Sequence, residues 1–388
     1  MVEKHASKAE RMIINQTQLR KVIPVASGKG GVGKSILSAN LGIMLASYGR
    51  RTVLVDLDLG GSNLHTYLGL KNRQPGIGNY VSDKSLDFNS LIVDTPYTNL
   101  KFIAGDVLVT GTANLIHSQR KGLISRIEKL EADFVVLDLG SGTGLNVIDF
   151  FLVSNSGIIV TTPQTPAVLN AYNFLKNAVF RHLQRNLSSP KKVVNYLKDV
   201  VKDKAPGATP TISQILEKID RISQKAGGEA RDLVNAVFPH LVVNMAESPE
   251  DLEIAYNLRD LVTKNLSVNF GCLGFLYQDK AVAAAIKGLK PVVVEREDSL
   301  VSREIDRIAQ KILQSPQFPI MPLDTEEYDD SFGLAAIEAQ NDFSDVEGIE
   351  DMRRAGIAPE DFLAIIAAQK KRIEELQGTV RMLTMKER

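Results

Sequence analysis

Short apolar runs alternate with longer, helix-like segments along most of this 388-residue chain. The apolar runs predict buried strands at residues 21–26, 52–56, 134–138, 157–161, 240–244 and 270–274. Between the first two runs, Ser35 to Tyr48 is amphipathic and is followed by Gly49, which predicts a helix. Continuous apolar strands that alternate with helices are typical of a parallel sheet covered on both faces. We therefore expect an α/β fold with a mostly parallel sheet and helices on both faces.

Proline, glycine and charge patterns divide the chain further. We expect an N-terminal arm over 1–20, the main α/β domain over 21–318, an acidic linker over 319–358 and an amphipathic C-terminal helix over 359–388. Prolines and basic helical stretches indicate a helical insert in the main domain at about 186–236. The apolar positions of the C-terminal helix follow coiled-coil spacing. Docking to another helix and binding to a lipid surface both remain open for it.

The charges are unevenly distributed, although 46 basic and 46 acidic residues give a formal net charge of zero. Eleven acidic residues and no Lys or Arg lie between Pro319 and Asp351. Eight basic residues and two acidic ones lie between Lys176 and Lys204. A charge map is therefore more informative than the total, and a partner rich in phosphate is not excluded.

The composition excludes several classes of protein. The hydrophobic fraction of 44% and the charged fraction of 24% are ordinary for a globular protein. The single cysteine, Cys272, cannot form an internal disulfide or a cysteine cluster. No apolar run reaches the roughly 18 residues that a membrane-spanning helix needs. We expect a cytoplasmic protein.

The strongest motif lies between the first strand and the first helix. Residues 28–35 read G-K-G-G-V-G-K-S and fit the P-loop pattern G-x-x-x-x-G-K-[ST] in the context that the motif requires. Such a loop turns backbone N–H groups toward phosphate oxygens, its lysine bridges the β- and γ-phosphates, and its serine binds Mg²⁺. The predicted phosphate-binding set is Gly28, Gly30, Gly31, Val32, Gly33, Lys34 and Ser35.

A second lysine inside this loop, Lys29, resembles the signature lysine of the deviant Walker A group, the MinD/ParA ATPases. Further motifs are similar to those of the group, and the resemblance covers roughly residues 21–315. They are Asp56-Leu-Asp58-Leu-Gly-Gly-Ser-Asn63, Asp138-Leu-Gly140, Asn244 at the end of its strand, and the stretch Gly274 to Asp279. The likeness is greatest to the FlhG (FleN) and MinD branch. One departure is Tyr277, which stands where the group usually has proline.

The resemblance implies a role for each of these residues. ATP would lie between two subunits of a homodimer, with Lys29 reaching the partner's phosphates and Lys34 binding its own. Asp58 would position the attacking water, while Ser35, Asp56 and Asp138 would hold Mg²⁺. The remaining residues expected to contact the nucleotide are Asn63, Gly140 and Asn244.

The resemblance also implies a slow, partner-stimulated ATPase that uses ATP-dependent dimerisation to position a cellular machine of the flagellar, polar or division-site type. We expect a protein partner or activator, and a location that includes the inner membrane surface or the cell pole. An alternative, less favoured, is ParA-type partitioning of DNA or other cargo, in which the basic stretch would contact phosphates; a solvated helical face is the preferred interpretation of that stretch. A metabolic ligase on the same fold is a further alternative. Iron–sulfur carriers of this superfamily need more cysteines than the one present here.

Overall fold

A computed structural model describes most of the chain. The described residues are 20–71, 74–83, 85–105, 115–202, 210–314 and 331–344. Contacts divide the chain into two units, Met1–Ala336 and Ile337–Arg388. The first unit contains the sheet and every predicted site residue. In the second unit the structure describes only 337–344, which is helical. Of the arm predicted over 1–20, residues 1–19 lie outside the described residues, as does the whole segment 359–388 that was predicted to be a helix.

The described part of the first unit contains one eight-stranded sheet. Its strands are β1 (Lys21–Ser27), β2 (Thr52–Leu57), β3 (Ile92–Asp94), β4 (Leu100–Ile103), β5 (Phe134–Ser141), β6 (Ile158–Thr161), β7 (His240–Ala246) and β8 (Gly271–Tyr277). Their order across the sheet is β3-β4-β2-β5-β1-β6-β7-β8. Only β3 is antiparallel to its neighbour, and all other described pairings are parallel. The predicted α/β fold with a mostly parallel sheet is therefore confirmed.

Helices connect these strands. They are α1 (Lys34–Ser47), α2 (Leu64–Tyr67), α3 (Ile77–Ser82), α4 (His117–Ile127), α5 (Leu145–Phe151), α6 (Thr165–Asn186), α7 (Lys191–Lys202), α8 (Ile212–Ile222), α9 (Gln224–Asn235), α10 (Leu252–Leu266), α11 (Lys280–Lys287), α12 (Val292–Glu295), α13 (Leu300–Gln314) and α14 (331–344). A large buried cluster joins α1 and α13 to the sheet. Helix α1 is therefore packed firmly against the sheet at the point where β1 ends.

The sheet order brings the predicted acidic motifs to the P-loop. Strand β5 lies directly between β1 and β2, so three strands that are distant in sequence end side by side. The register pairs Asp56 of β2 with Asp138 of β5. The P-loop leaves the same end of β1, because all three strands are parallel.

Strand β1 tolerates a proline despite its central position. Pro24 is buried and lies opposite Leu137 of β5. On the other side, pairing with β6 begins only at Val25. The proline therefore lies outside the short ladder with β6, where a missing N–H is tolerated.

Two strands were not predicted from the apolar runs. The hairpin of β3 and β4 extends the sheet beyond β2, and β4 is parallel to β2. Both strands are short, and β3 is only half-buried or exposed along its length. Their weak hydrophobic pattern explains why the sequence did not indicate them.

The segment predicted as a helical insert contains α7, α8 and α9. Thr211 begins α8 with a hydroxyl that accepts a hydrogen bond from Gln214 N. Asp220 of α8 forms an ion pair of 2.9 Å with Arg231 of α9. Gly227 lets the two helices approach, since an added Cβ there would lie 2.1 Å from an Asp220 oxygen. The two helices are joined at Ser223, whose hydroxyl accepts a hydrogen bond from Ala226 N, and they pack against each other.

Helix α14 falls inside the stretch expected to be an acidic linker. Phe332 is 1% exposed, and its ring lies 6.3 Å from that of Phe270 and 5.8 Å from that of Tyr256. Ser331 Oγ accepts a hydrogen bond of 3.3 Å from the backbone N–H of Cys272, in the edge strand β8. Residues 331–336 therefore pack on the α/β domain, which differs from a solvated spacer.

Across the helices that the structure describes, none combines the length and hydropathy needed to cross a membrane.

Candidate functional site

The P-loop joins β1 to α1 and depends on glycine for its shape. Gly31 and Gly33 have φ values of 81° and 85°, a region that residues with a Cβ rarely adopt. Gly28 lies against the backbone of α6, where an added Cβ would be 2.1 Å from the carbonyl of Asn170. A hydrogen bond of 2.8 Å from Ser27 Oγ to the carbonyl oxygen of Lys29 further orders the loop. The loop therefore has the backbone form of an anion cradle at the N-terminus of a helix.

Lys34 is directed into the interior of this site. It is 7% exposed, and its Nζ lies 3.0 Å from Asp138 Oδ1, which is itself 1% exposed. The same Nζ lies 3.5 Å from Ser35 Oγ. A buried ammonium needs a charged partner, and here the carboxylate of β5 supplies it. An anion placed in the cradle would compete with Asp138 for this lysine.

Asp138 uses only one of its two oxygens. Oδ1 accepts from Lys34 Nζ and from Ser38 Oγ, each at 3.0 Å. Oδ2 is buried and accepts no hydrogen bond from the described residues. A buried carboxylate oxygen without a partner is costly, so it indicates a position that a ligand completes.

Asp56 is fully buried beside Asp138 at the end of β2. Its Oδ2 accepts from Ser62 Oγ at 2.7 Å and from Leu64 N at 3.1 Å, and its Oδ1 accepts from Asp58 N at 3.1 Å. Burial, followed by the negative charge of Asp138, raises the pKa of Asp56 to about 7 despite these bonds. Two carboxylates in one buried place repel each other, and a divalent cation would relieve that repulsion.

Asp58 lies two residues after Asp56 in the sequence, at the mouth of the site. It is half-buried, whereas Asp56 and Asp138 are buried. An added Cβ on Gly140 would lie 3.3 Å from Asp58 Oδ1, so the glycine leaves room for the carboxylate. A Cβ added to Gly61 would likewise lie 3.7 Å from the Asp58 carboxylate oxygens. Asp58 is thus next to the loop that follows β5 and is accessible to water.

The remaining predicted residues, Asn244, Lys29 and Asn63, differ in their contacts and exposure. Asn244 Nδ2 donates to the carbonyl oxygen of Val32 at 2.8 Å, so it holds the P-loop from the end of β7. Lys29 is exposed beside the loop. Asn63 is exposed at the start of α2 and makes no capping hydrogen bond with its side chain. Lys34, Asp56, Asp58, Asp138 and Gly140 therefore cluster, whereas Lys29 and Asn63 face outward.

The late motif ends in a structural cap. Tyr277 is the last residue of β8, and its backbone N–H donates to the buried carboxylate of Glu304 at 3.1 Å. Asp279 begins α11, where its Oδ1 accepts from Ala281 N at 2.7 Å. The tyrosine that replaces the usual proline has an N–H, and the buried glutamate satisfies it.

Sequence reasoning missed two serines that hold the acidic residues. Ser62 donates to Asp56, and Ser38 donates to Asp138. Ser38 lies four residues after Lys34, so helical periodicity alone places both on the same face of α1. The spacing of four residues was therefore the sequence signal that could have identified Ser38.

The loop, lysine and carboxylates together define a P-loop NTPase. A family profile described as "ParA: NUBPL iron-transfer P-loop NTPase" matches residues 18–185. The septum site-determining protein MinD of Bacillus subtilis is 29% identical over 200 residues, which cover 51% of this chain and 72% of that protein. MinD of Helicobacter pylori is 31% identical over 148 residues, which cover 38% of this chain and 54% of that protein. The matched segment thus spans about half to three quarters of these relatives.

Solved structures agree on the fold. MinD from Pyrococcus horikoshii, in complex with Mg-ADP, covers 76% of this chain and 97% of its own, with a TM-score of 0.52 and 18% identity. A ParA family ATPase from Chlorobium tepidum covers 75% of this chain and 98% of its own, with a TM-score of 0.50 and 17% identity. The chain therefore has the fold of these MinD and ParA structures. The relatives named here are MinD and ParA proteins, and they do not distinguish the FlhG branch.

Proposed function

We propose that this protein is an ATPase whose ATP-dependent dimerisation positions a larger cellular assembly. The observation that carries the proposal is the buried Lys34–Asp138 pair inside a glycine cradle, with Asp58 at its mouth and Lys29 exposed beside it. The names of the MinD relatives connect such a site with placing a division septum.

The cradle fits a nucleotide phosphate chain. Backbone N–H groups of Gly30 to Ser35 lie at the start of α1, whose partial positive charge favours an anion. On binding, Lys34 would exchange Asp138 for the β- and γ-phosphates. The exchange keeps the ammonium paired at every stage, so it avoids leaving a buried charge uncompensated.

The acidic pair fits Mg²⁺. Oδ2 of Asp138 accepts no hydrogen bond from the described residues, and burial beside Asp138 raises the pKa of Asp56, so this pair of carboxylates favours a nearby cation. Oxygen ligands suit Mg²⁺. Ser35, Asp56 and Asp138 would hold the ion, directly or through its waters. The ion neutralises phosphate charge when it is bound.

Asp58 is suited to orient the attacking water. It lies at the mouth of the site, its backbone N–H is fixed by Asp56, and glycines flank its carboxylate. A carboxylate held in this way accepts a hydrogen bond from water and sets its direction of attack.

Lys29 supports a dimeric mechanism. Its backbone carbonyl is fixed by Ser27, but its side chain is exposed and makes no ion pair among the described residues. A lysine beside the phosphate site that does not serve its own site is available to a second copy. In the dimer it would stabilise charge on the partner's nucleotide.

Three variants test this proposal. Lys34→Ala should abolish binding of a fluorescent ATP analogue. Lys29→Ala should retain binding by the monomer but lose the ATP-dependent dimer in analytical ultracentrifugation. Asp58→Ala should bind ATP and accumulate as a dimer that does not hydrolyse it. Retained ATP affinity in Lys34→Ala, or a wild-type chain that stays monomeric with ATP, would contradict the proposal.

Two assemblies are candidates for what the dimer positions. Division-site placement follows from the MinD relatives, and flagellar placement from the resemblance to FlhG. We further propose that the segment 359–388, predicted from the sequence to be a helix, attaches the dimer to a membrane surface or a protein partner. A chain ending at 344 keeps the packing of Phe332, so it isolates the helix in vesicle sedimentation with ATP. Capture of partners on the Asp58→Ala dimer identifies the machine.

DNA partitioning is the second candidate, and one surface favours it. Arg181 and Arg185 of the basic stretch pair with Asp149. Lys191, Lys192 and Lys198 of α7 remain exposed. Replacing these three lysines by glutamate should abolish any ATP-dependent DNA binding, measured by fluorescence anisotropy at low salt. If the wild-type chain with ATP binds no DNA in that assay, the candidate is wrong.

A further inference from the structure

Ser38 is buried on α1, one helical turn after Lys34. Its residue is 0% exposed, and its hydroxyl lies 3.0 Å from Asp138 Oδ1 and 3.0 Å from the carbonyl oxygen of Lys34. A hydroxyl has one hydrogen and can donate to only one of these acceptors at a time. A carboxylate oxygen is the stronger acceptor of the two.

The carboxylate of Asp138 is held asymmetrically. Lys34 and Ser38 both approach Oδ1, while buried Oδ2 receives no donor from the described residues. In the proposed function, Lys34 moves to the phosphates when nucleotide binds. Ser38 is then the side chain that still restrains Oδ1.

We infer that Ser38 is a positioning residue that keeps Asp138 oriented after Lys34 has moved away. With Oδ1 held from α1, Oδ2 stays available to the water shell of Mg²⁺. The inference rests on the proposed nucleotide site and adds to it the residue that couples the helix to the metal ligand. Side chains that orient a metal-bound carboxylate typically change metal affinity by about 10- to 100-fold.

The test separates metal binding from nucleotide binding. The full-length chain is titrated with the fluorescent nucleotide mant-ADP in EDTA, and then with MgCl₂ at a fixed nucleotide concentration. Ser38→Ala should raise the midpoint of the Mg²⁺ titration about tenfold and leave mant-ADP affinity in EDTA unchanged. Ser38→Thr retains the hydroxyl and should restore the midpoint.

Ser47→Ala is the matched control. Ser47 lies on the same helix, is exposed, and donates to the carbonyl oxygen of Met44 at 2.7 Å. Its removal should leave both titrations unchanged. If Ser38→Ala does not fold, Ser38→Cys, which keeps the size but donates weakly, repeats the measurement.

Two results would overturn the inference and leave the proposed function intact. One is an unchanged Mg²⁺ midpoint in Ser38→Ala. The other is an equal loss of mant-ADP affinity with and without Mg²⁺, which would indicate a general structural effect on the loop. If the wild-type chain binds no mant-ADP in either condition, the proposed function itself fails and the inference with it.

Discussion

Asp149 on α5 is the buried centre of an ion cluster that joins α4, α5 and α6. Its side chain is 3% exposed and lies 2.7 Å from Arg120 Nε of α4. Arg181 of α6 donates to both carboxylate oxygens, at 2.9 and 3.0 Å, and Arg185 lies at 3.5 Å. We predict that Asp149→Asn, which keeps the shape and removes the charge, strongly destabilises the domain.

The magnitude follows from what the substitution leaves behind. Arg120 is 8% exposed, so its charge would remain buried without a carboxylate. It keeps hydrogen bonds to Asn146 Oδ1 and to the carbonyl oxygen of Leu115. Breaking one side of a buried pair costs about 3–5 kcal/mol, and these remaining bonds favour the lower end, about 3 kcal/mol. Arg185 is 44% exposed, and Arg185→Ala should cost less than about 1 kcal/mol.

The pH dependence provides a second check on the same residue. Burial alone would raise the pKa of Asp149, but hydrogen bonding to Arg181 and the charges of all three arginines hold it below its usual value. The cluster therefore stabilises the folded chain above the unfolded carboxyl pKa of about 3.8, and that contribution is lost as the pH falls below it. Asp149→Asn should remove this part of the acid sensitivity.

Urea unfolding followed by circular dichroism measures both effects on the full chain. A loss below about 1 kcal/mol for Asp149→Asn would refute the reasoning, because it would mean that Arg120 is solvated or otherwise compensated. A double-mutant cycle with Arg181→Ala should show a coupling of at least about 1 kcal/mol, whereas a cycle with Arg185→Ala should show less. Additive effects in both cycles would indicate that the cluster does not act as a unit.

Three further predictions follow from particular contacts. Gly33→Ala should strongly impair nucleotide binding, measured with mant-ADP, because φ is 85° and a Cβ would lie 2.0 Å from the side-chain amide nitrogen of Asn244. Gly122→Ala on α4, whose Cβ would meet no atom within 4 Å, is the tolerated control. Burial lowers the pKa of His240 to about 3, so acid favours the unfolded chain, which binds a proton near pH 6.5. Between pH 7 and pH 5 the raised pKa of Asp56 acts in the opposite direction, so the His240 effect is measured as the difference between the wild-type chain and His240→Gln. The unfolding free energy of the wild type should fall relative to that of His240→Gln by up to about 2 kcal/mol over this range. Phe332→Ala should destabilise the packing of α14 by about 3 kcal/mol and speed proteolysis after residue 314. Leu334 is 55% exposed, so Leu334→Ala should have neither effect. Equal cleavage rates for the two variants would contradict the packing of α14.

The P-loop and the strands that surround it were predictable because their signals are local. A glycine-rich loop between an apolar run and an amphipathic segment admits few structures, and Gly31 and Gly33 adopt the positive φ angles that such a loop needs. The apolar runs of β2 and β5 are long enough to be recognised without tertiary information. The hairpin of β3 and β4 was not predictable, since it is stabilised by pairing with β2 rather than by its own pattern.

The packing of the predicted acidic linker could not be derived from its composition. Its acidic composition indicated a solvated spacer, yet Phe332 packs on the rings of Phe270 and Tyr256. Arg259 also lies 5.3 Å from the centre of the Phe332 ring. A single aromatic residue changes the average composition of a polar stretch very little. Its burial nevertheless decides whether that stretch packs on the α/β domain.

By itself, the sequence determined the alternation of strands and helices, the phosphate loop and the identities of the acidic residues, because each depends on neighbours within a few positions. Only the tertiary structure decided that Lys34 pairs with Asp138 and that the Ser38 hydroxyl lies within hydrogen-bond distance of the same carboxylate. It also decided that Asp149 forms ion pairs with three arginines. These partners are up to 104 residues apart in the chain. Lys34 and Ser38 reach Asp138 because the P-loop joins β1 to α1 and β5 lies parallel beside β1, so these groups share one edge of the sheet. Asp149 and its arginines come from three helices, and burial of the carboxylate there favours partners of opposite charge.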